Sequence, residues 1–309
     1  MALILADVGG TNVRFACARG GKIDATLTKR YQNDDYADFD TALTAYLAHS
    51  DVHQLEALSV AVAGPVTAQA ARLTNRGWEF DARKLAGRHG AGRVDLLNDL
   101  SALGYALDSL GPEGTQVVVE ALTGDGDQRL VIGAGTGFNV SPVLRFAGHT
   151  VCLRAEAGLG SLPTRVAEIM TAYVGGATPW VRCAEDAVRG PGLAELHAAA
   201  TGGPKMDARD VIDAANQGDS DARASVETYA RMLGAFIQDL RLLYMPSGGI
   251  FLAGSVVRGL LGSPARETFV EMLQAQPAVK QQMPPVQVSV ITQDEAALLG
   301  CLAYAQAHG

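Results

Sequence analysis

Apolar positions along this chain change their period near its middle, separating a strand-rich first half from a helix-rich second half. Leu3 to Ala6 is a short apolar run, Gly9-Gly10 a turn signal and Val13 to Ala18 a second apolar run. Together they predict a hairpin with Asp7 and Thr11 at its tip. Tyr36 to His49 has helical spacing, and Ala57 to Ala63 is a continuous run of small apolar residues ending at Gly64-Pro65. Such a run is the mark of a strand covered on both faces. Val94 to Leu97 repeats it and ends at Asn98-Asp99. Leu100 to Leu110 then reads as a helix, Leu130 to Ala134 as a strand running into Gly133-Ala-Gly-Thr-Gly137, and Asn139 to Phe146 as the next strand. From Pro163 onward the spacing is helical over Thr164 to Val174, Leu193 to Ala200, Asp207 to Gln217 and Ala222 to Tyr244. A strand, Gly249 to Ala253, enters a further turn at Gly254-Ser255. The tail predicts helices over Val257 to Leu261 and Arg266 to Ala275, a strand Val286 to Ile291 and a last helix from Glu295 to His308.

Length and composition narrow the class. With 309 residues the chain has room for two domains, since one domain takes about 100–200 residues. Apolar content of 48%, charged content of 19% and 35 glycines fit a globular α/β protein. A net charge of -8, with acidic and basic residues interspersed, offers no basic run for a phosphate backbone, so no nucleic-acid partner is expected. The four cysteines stand far apart, without metal-ligand or disulfide-scaffold spacing, and read as reduced thiols in a cytoplasmic protein. The N-terminal stretch reaches Asp7 before a signal-peptide core can form, and no apolar run approaches the roughly 18 residues of a membrane span. A cytoplasmic location without a membrane partner is expected.

Candidate chemistry gathers at the strand ends. In Asp7-Val-Gly-Gly-Thr-Asn-Val-Arg14 the glycines let backbone approach an anion, the amides and the Thr11 hydroxyl can donate to phosphate, and Asp7 can hold a hydrated Mg²⁺. A plain Gly-Gly turn is the other reading. The second glycine loop, Gly133 to Gly137, repeats the chemistry after another strand, and two such loops can clamp a polyphosphate. Neither is a Walker A motif, and neither opens a Rossmann unit. Gly254-Ser255 is a third turn of the kind that holds a nucleotide, or a simple strand-to-helix turn. At Asn98-Asp99, the end of an apolar strand, a carboxylate can take a proton from an attacking hydroxyl while the Asn orients the substrate. Asp99 also reads as the N-cap of a helix starting at Leu100, and the two roles are compatible.

In order and spacing, D-x-G-G-T-N-x-R-F-A from Asp7, L-T-N-x-x-W at Leu73 to Trp78, N-D at 98–99, G-A-G-T-G at 133–137, A-E-x-x-x-x-G-P-G-L at 184–193 and F-L-A-G at 251–254 resemble the bacterial glucokinase family over almost the whole chain. The resemblance implies a two-domain actin-like ATPase (ribonuclease H-like) α/β fold. A small α/β domain, 1–97, with the C-terminal helix 295–309 packed back on it, would face a larger helix-rich α/β domain, 98–294, across a cleft. It implies transfer of the γ-phosphoryl group of ATP, with Mg²⁺, to the 6-hydroxyl of glucose, giving glucose 6-phosphate, and a homodimer. By the same resemblance Asp99 is the catalytic base, and Asn75, Asn98, Asp99, Glu156 and Glu185 bind the sugar. Asp7, Gly9, Gly10, Thr11, Asn12, Gly133, Gly135, Thr136, Gly137 and Gly254 surround the nucleotide, with Asp7 meeting the metal through water. The family has E-G-G-H where this chain reads Glu156-Ala-Gly-Leu159, and Leu-Gly where it reads Phe138-Asn139. Leu159 cannot hydrogen-bond a sugar, which leaves open a kinase for another hexose or a modified sugar. The two departures together leave open a weakened sugar-binding regulator. The cysteine cluster of the related repressor group is absent.

Overall fold

The computed structural model describes residues 2–50, 52, 54–74, 76–121, 126–276 and 284–309. The expected hairpin is present as β1 (Ala2–Val8) and β2 (Asn12–Arg19), and the chain continues into β3 (Lys22–Gln32). β3 is a long strand that the apolar pattern does not announce. It lies at a sheet edge, where exposed Lys22 and Lys29 suit an unpaired rim. Helix α1 (Phe39–Ser50) starts later than Tyr36, because the Asp38 carboxylate accepts the Thr41 N–H at 2.8 Å and sets the first turn. There follow β4 (Leu55–Val62), the short pair β5 (Ala70–Arg72) and β6 (Glu79–Asp81), α2 (Ala82–His89), β7 (Arg93–Asn98) and α3 (Asp99–Ala106). The chain then forms β8 (Thr115–Val119), β9 (Gln128–Ala134), β10 (Phe138–Phe146) and β11 (His149–Cys152). Next come α4 (Thr164–Val174), α5 (Ala184–Val188), α6 (Gly190–Thr201), α7 (Ala208–Asn216) and α8 (Ser220–Tyr244). The last elements are β12 (Ile250–Ala253), α9 (Ser255–Leu261), α10 (Arg266–Gln274), β13 (Val288–Ile291) and α11 (Ala296–Ala307). Among the described residues no helix is long and apolar enough to cross a membrane.

The chain divides into two compact units. The first comprises Met1–Gly114, Ala147–Cys152 and Gln293–Gly309, the second Thr115–Phe146 and Leu153–Thr292. Residues 98–114 thus belong to the first unit, unlike in the expected 1–97 and 98–294 division, because α3 packs on α11.

The first unit is built on a sheet of order β3-β2-β1-β4-β7. β1, β2 and β3 are antiparallel neighbours, whereas β1, β4 and β7 run parallel. Their register places Val8 beside Val62 and Val62 beside Asn98. The carboxyl ends of β1, β4 and β7 therefore finish side by side. One face of this sheet is covered by a core that includes Phe15, Phe39 and Tyr46, with the Phe15 and Tyr46 rings stacked at 5.0 Å. The other carries Leu5, Ala61 and Leu97 against Leu298, Cys301 and Leu302 of α11.

Where α11 crosses α3 the two backbones nearly touch. A Cβ on Gly300 would stand 1.7 Å from the Ala102 carbonyl oxygen, so only glycine fits. Gly300→Ala is expected to cost about 3 kcal/mol through overpacking, lowering the midpoint of thermal unfolding by roughly 5–10 °C. A calorimetric scan showing an unchanged midpoint would contradict this packing.

In the second unit the strands run β10-β9-β12-β13-β8. β9 and β12 are parallel with Gly133 beside Ala253, and β9 turns back into β10 with Ala134 beside Phe138. Helix α8 supplies Tyr229, Leu233, Phe236 and Leu240 to one large core with Leu130, Ile132, Leu252 and Phe269. Its first turn is capped by Asp219, which accepts the Ala222 N–H at 2.8 Å. α6 starts at Gly190, with Pro191 in its first turn, where a proline loses no hydrogen bond.

Candidate functional site

Three parallel strand ends bring Asp7, Gly64 and Asn98-Asp99 together in the first unit. Asn98 is the N-cap of α3, accepting the N–H groups of Leu100 at 3.1 Å and Ser101 at 3.4 Å through Oδ1. The capping role considered for Asp99 belongs to its neighbour, and Asp99 is the first helical residue. Nδ2 of Asn98 donates to the Gly64 carbonyl at 3.2 Å, and its amide also hydrogen-bonds Asp99. A sugar contact by Asn98 would replace one of these bonds. Next to it, the Thr74 N–H donates to the Ala63 carbonyl at 3.2 Å, which fixes the start of the L-T-N segment. Asn75 lies outside the described residues.

The carboxylates of Asp7 and Asp99 are set deep among strand ends while each side chain stays partly accessible. Burial raises the pKa of Asp99 to about 6, helped by the negative charge of Asp7 and opposed by hydrogen bonds from Leu100, its own N–H and Asn98. Burial also raises Asp7, against the pull of Arg14, its partner across the β1–β2 pair. Arg14 is itself held by the Asp294 carbonyl.

The hairpin tip leaves Gly10 and Thr11 exposed. Sequence reasoning missed the residue that shapes it. Asn33, wholly buried, donates through Nδ2 to the Gly9 carbonyl at 2.8 Å and through its backbone N–H to the Thr11 carbonyl at 2.8 Å. No local signal marks it, since it follows a polar edge strand. Asn12, at the start of β2, keeps a buried Oδ1 without a hydrogen-bond partner.

In the second unit the parallel ends of β9 and β12 bring two glycine turns together. A Cβ on Gly135 would meet Ser255 Oγ at 3.6 Å and Gly254 Cα at 4.0 Å. The Gly190 N–H donates to the Gly135 carbonyl at 2.7 Å, anchoring the loop on α6, and the Gly135 N–H donates to Gly137 O at 2.9 Å. Thr136 and Gly137 are exposed at the tip of this loop. The two glutamates of the predicted sugar set lie in the same unit. Glu185 accepts the Phe138 N–H at 3.0 Å, and the pKa of Glu156 is raised by burial and then by the charge of Glu185. Leu159, in the turn after Glu156, is 62% exposed.

Each unit thus offers carboxylates or glycine turns at the ends of parallel strands, the arrangement that places ligands in α/β sheets. The crystal structure of a glucokinase from an Antarctic psychrotroph superposes with a TM-score of 0.81 at 26% identity, covering 99% of both chains. A ROK family glucokinase from Streptomyces griseus, solved with glucose and AMPPNP, superposes with a TM-score of 0.70 at 21% identity, covering 99% of this chain and 100% of that one, and shows the fold alone. The fold is that of the actin-like ATPase sugar kinases. A glucokinase of Caulobacter vibrioides is 29% identical over 284 residues, 86% of this chain and 85% of the relative. The glucokinase family model matches residues 4–308, and this chain belongs to the glucokinase family.

Proposed function

We infer that this chain transfers the γ-phosphoryl group of ATP to the 6-hydroxyl of glucose, giving glucose 6-phosphate, with Asp99 as the base. The observation that carries the reading is the Asp99 carboxylate itself. It is relieved of capping by Asn98, set beside Asp7, and raised to about 6, near the working range of a general base. In phosphoryl transfer most of the rate comes from positioning and charge neutralisation. The base matters as the hydroxyl attacks, when Asp99 accepts its proton.

Glu156 and Glu185 accept hydrogen bonds from ring hydroxyls, a role suited to ionised carboxylates, which only accept. The exposed turns at Gly10-Thr11 and Thr136-Gly137, together with Gly254, offer backbone N–H groups to phosphates. Asp7 suits Mg²⁺: two carboxylates close together with Arg14 as the opposing charge favour a cation. Among the described residues no cluster of three or more His, Cys, Asp or Glu forms a metal cage, as fits an ion shared with phosphate oxygens and water. Mg²⁺, when bound, neutralises charge developing on the phosphates. The chain acts in the cytoplasm as a homodimer, without nucleic acid. Its four cysteines are free thiols, as proteins of reducing compartments keep them.

Leu159 favours a second reading, in which the preferred substrate is another hexose, because an exposed apolar side chain stands where the family offers a histidine. A coupled ADP-release assay with glucose, mannose, fructose, galactose and N-acetylglucosamine, with a no-sugar blank, decides. The expected result is the highest kcat/KM for glucose and little turnover in the blank. A better rate with another sugar moves the assignment to that hexose, and sugar binding without turnover removes the kinase reading.

A further inference from the structure

The dipeptide Phe138-Asn139, where the chain departs from the family pattern, holds both glutamates of the sugar set. The Phe138 N–H occupies Oε1 of Glu185, and its ring is fixed against Phe236 with centroids 5.0 Å apart. The Asn139 side chain is more extensively engaged. Its Nδ2 donates to Glu156 Oε2 at 2.9 Å and to the Ala155 carbonyl at 2.7 Å. Its Oδ1 accepts the N–H groups of Ala157 at 3.1 Å and Val140 at 2.8 Å. One amide therefore grips the backbone on both sides of Glu156 together with its carboxylate. Glu156 is otherwise exposed, and the neighbouring Glu185 charge opposes it. A glycine at position 139 would leave it free to turn toward water.

We propose that Asn139 is a positioning residue that fixes Glu156 for the sugar, taking Oε2 and leaving Oε1 to accept a ring hydroxyl. The role rests on the reading of the chain as a hexose kinase.

A double-mutant cycle tests it, with Asn139→Ala, Glu156→Ala and the double variant compared by steady-state kinetics. Wild-type rates across the hexose panel test the kinase reading separately, and the cycle is run with the best hexose. A wrong sugar and a wrong role for Asn139 thus give different results. Losing a hydrogen bond to a charged group is worth about a tenfold change or more. Asn139→Ala should raise KM for the sugar about tenfold while KM for ATP stays within about twofold. In the Glu156→Ala background the same substitution should cost less than about twofold, because residues acting as one unit are not additive. The isosteric Asn139→Asp, which keeps the shape but sets a second charge against Glu156, should raise the sugar KM further than Asn139→Ala. Equal losses in both backgrounds, or parallel rises in both KM values with a lowered melting temperature, would overturn the proposal.

Discussion

Replacing Asp99 by Asn is expected to lower kcat by about three orders of magnitude, within the range for loss of a general base, and to raise the stability of the protein at pH 8. The first effect follows because the amide keeps the shape but accepts no proton, so sugar KM should stay within a few-fold of wild type. The second follows from the sign of the pKa shift. The folded state holds the Asp99 proton more tightly than the unfolded chain, with a value raised from 3.8 to about 6. The ionised carboxylate is therefore a strain on the fold, absent at pH below the unfolded value and growing as pH rises until it is complete above about 6. A rise of this size corresponds to about 3 kcal/mol, an upper figure for a partly accessible group. The amide of the variant carries no such charge, and the helix keeps its Asn98 cap. The melting temperature of the variant should exceed that of wild type by about 5 °C at pH 8, with the gap closing toward pH 4. Wild-type kcat/KM should also fall about tenfold per pH unit below about 6, a limb the variant lacks. A variant that keeps near-normal kcat, or that melts below wild type at pH 8, would remove Asp99 from this role.

Gly254→Ala should raise KM for ATP by an order of magnitude or more and lower the melting temperature by roughly 10 °C. Gly254 has φ +107 and ψ 161, a region open to glycine alone. A Cβ there would stand 2.2 Å from the carbonyl oxygen of Ala134 and 2.6 Å from its carbonyl carbon. These are backbone atoms of the strand end that carries the Gly133 to Gly137 loop, and no rotamer change relieves them. Backbone strain of about 1–3 kcal/mol adds to overpacking of similar size, and both push one glycine turn away from the other. Sugar affinity, measured by calorimetry without nucleotide, should fall less than ATP affinity, because Asn139, which holds Glu156, lies within β10 beyond the displaced loop. Unaltered ATP kinetics in this variant would separate Gly254 from the nucleotide.

The strands and helices with dense apolar runs were legible in the sequence, as with β4, β7, β9 and α8, since burial on both faces or along a wide stripe leaves a strong period. β3, β5, β6, β8, β11, α2 and α5 were not, because edge strands, a five-residue helix and a helix rich in Arg and Lys bury too little to mark themselves. The turns of the candidate site were legible from glycine and carboxylate placement, and the family likeness ordered them. The residues that hold the site in shape were not. Asn33 acts through backbone groups of the hairpin tip supplied from elsewhere in the fold, Asn98 was legible as a substrate-orienting residue but not as the cap of α3, and Asn139 read only as a departure from the family pattern. Hydrogen bonding of this kind has no period along a chain.

The placement of α11 sets the order in which a newly made chain can complete itself. A ribosome delivers residues in sequence, and compact units close as their parts emerge. Leu5, Ala16, Ala61 and Leu97 need Leu298, Cys301 and Leu302 to cover them, and those residues follow the entire second unit. The unit that sets Asp7 and Asp99 is therefore finished after the unit that carries the glycine turns of β9 and β12. A chain that stops short of α11 therefore leaves this face of the first unit's sheet uncovered, however complete its second unit.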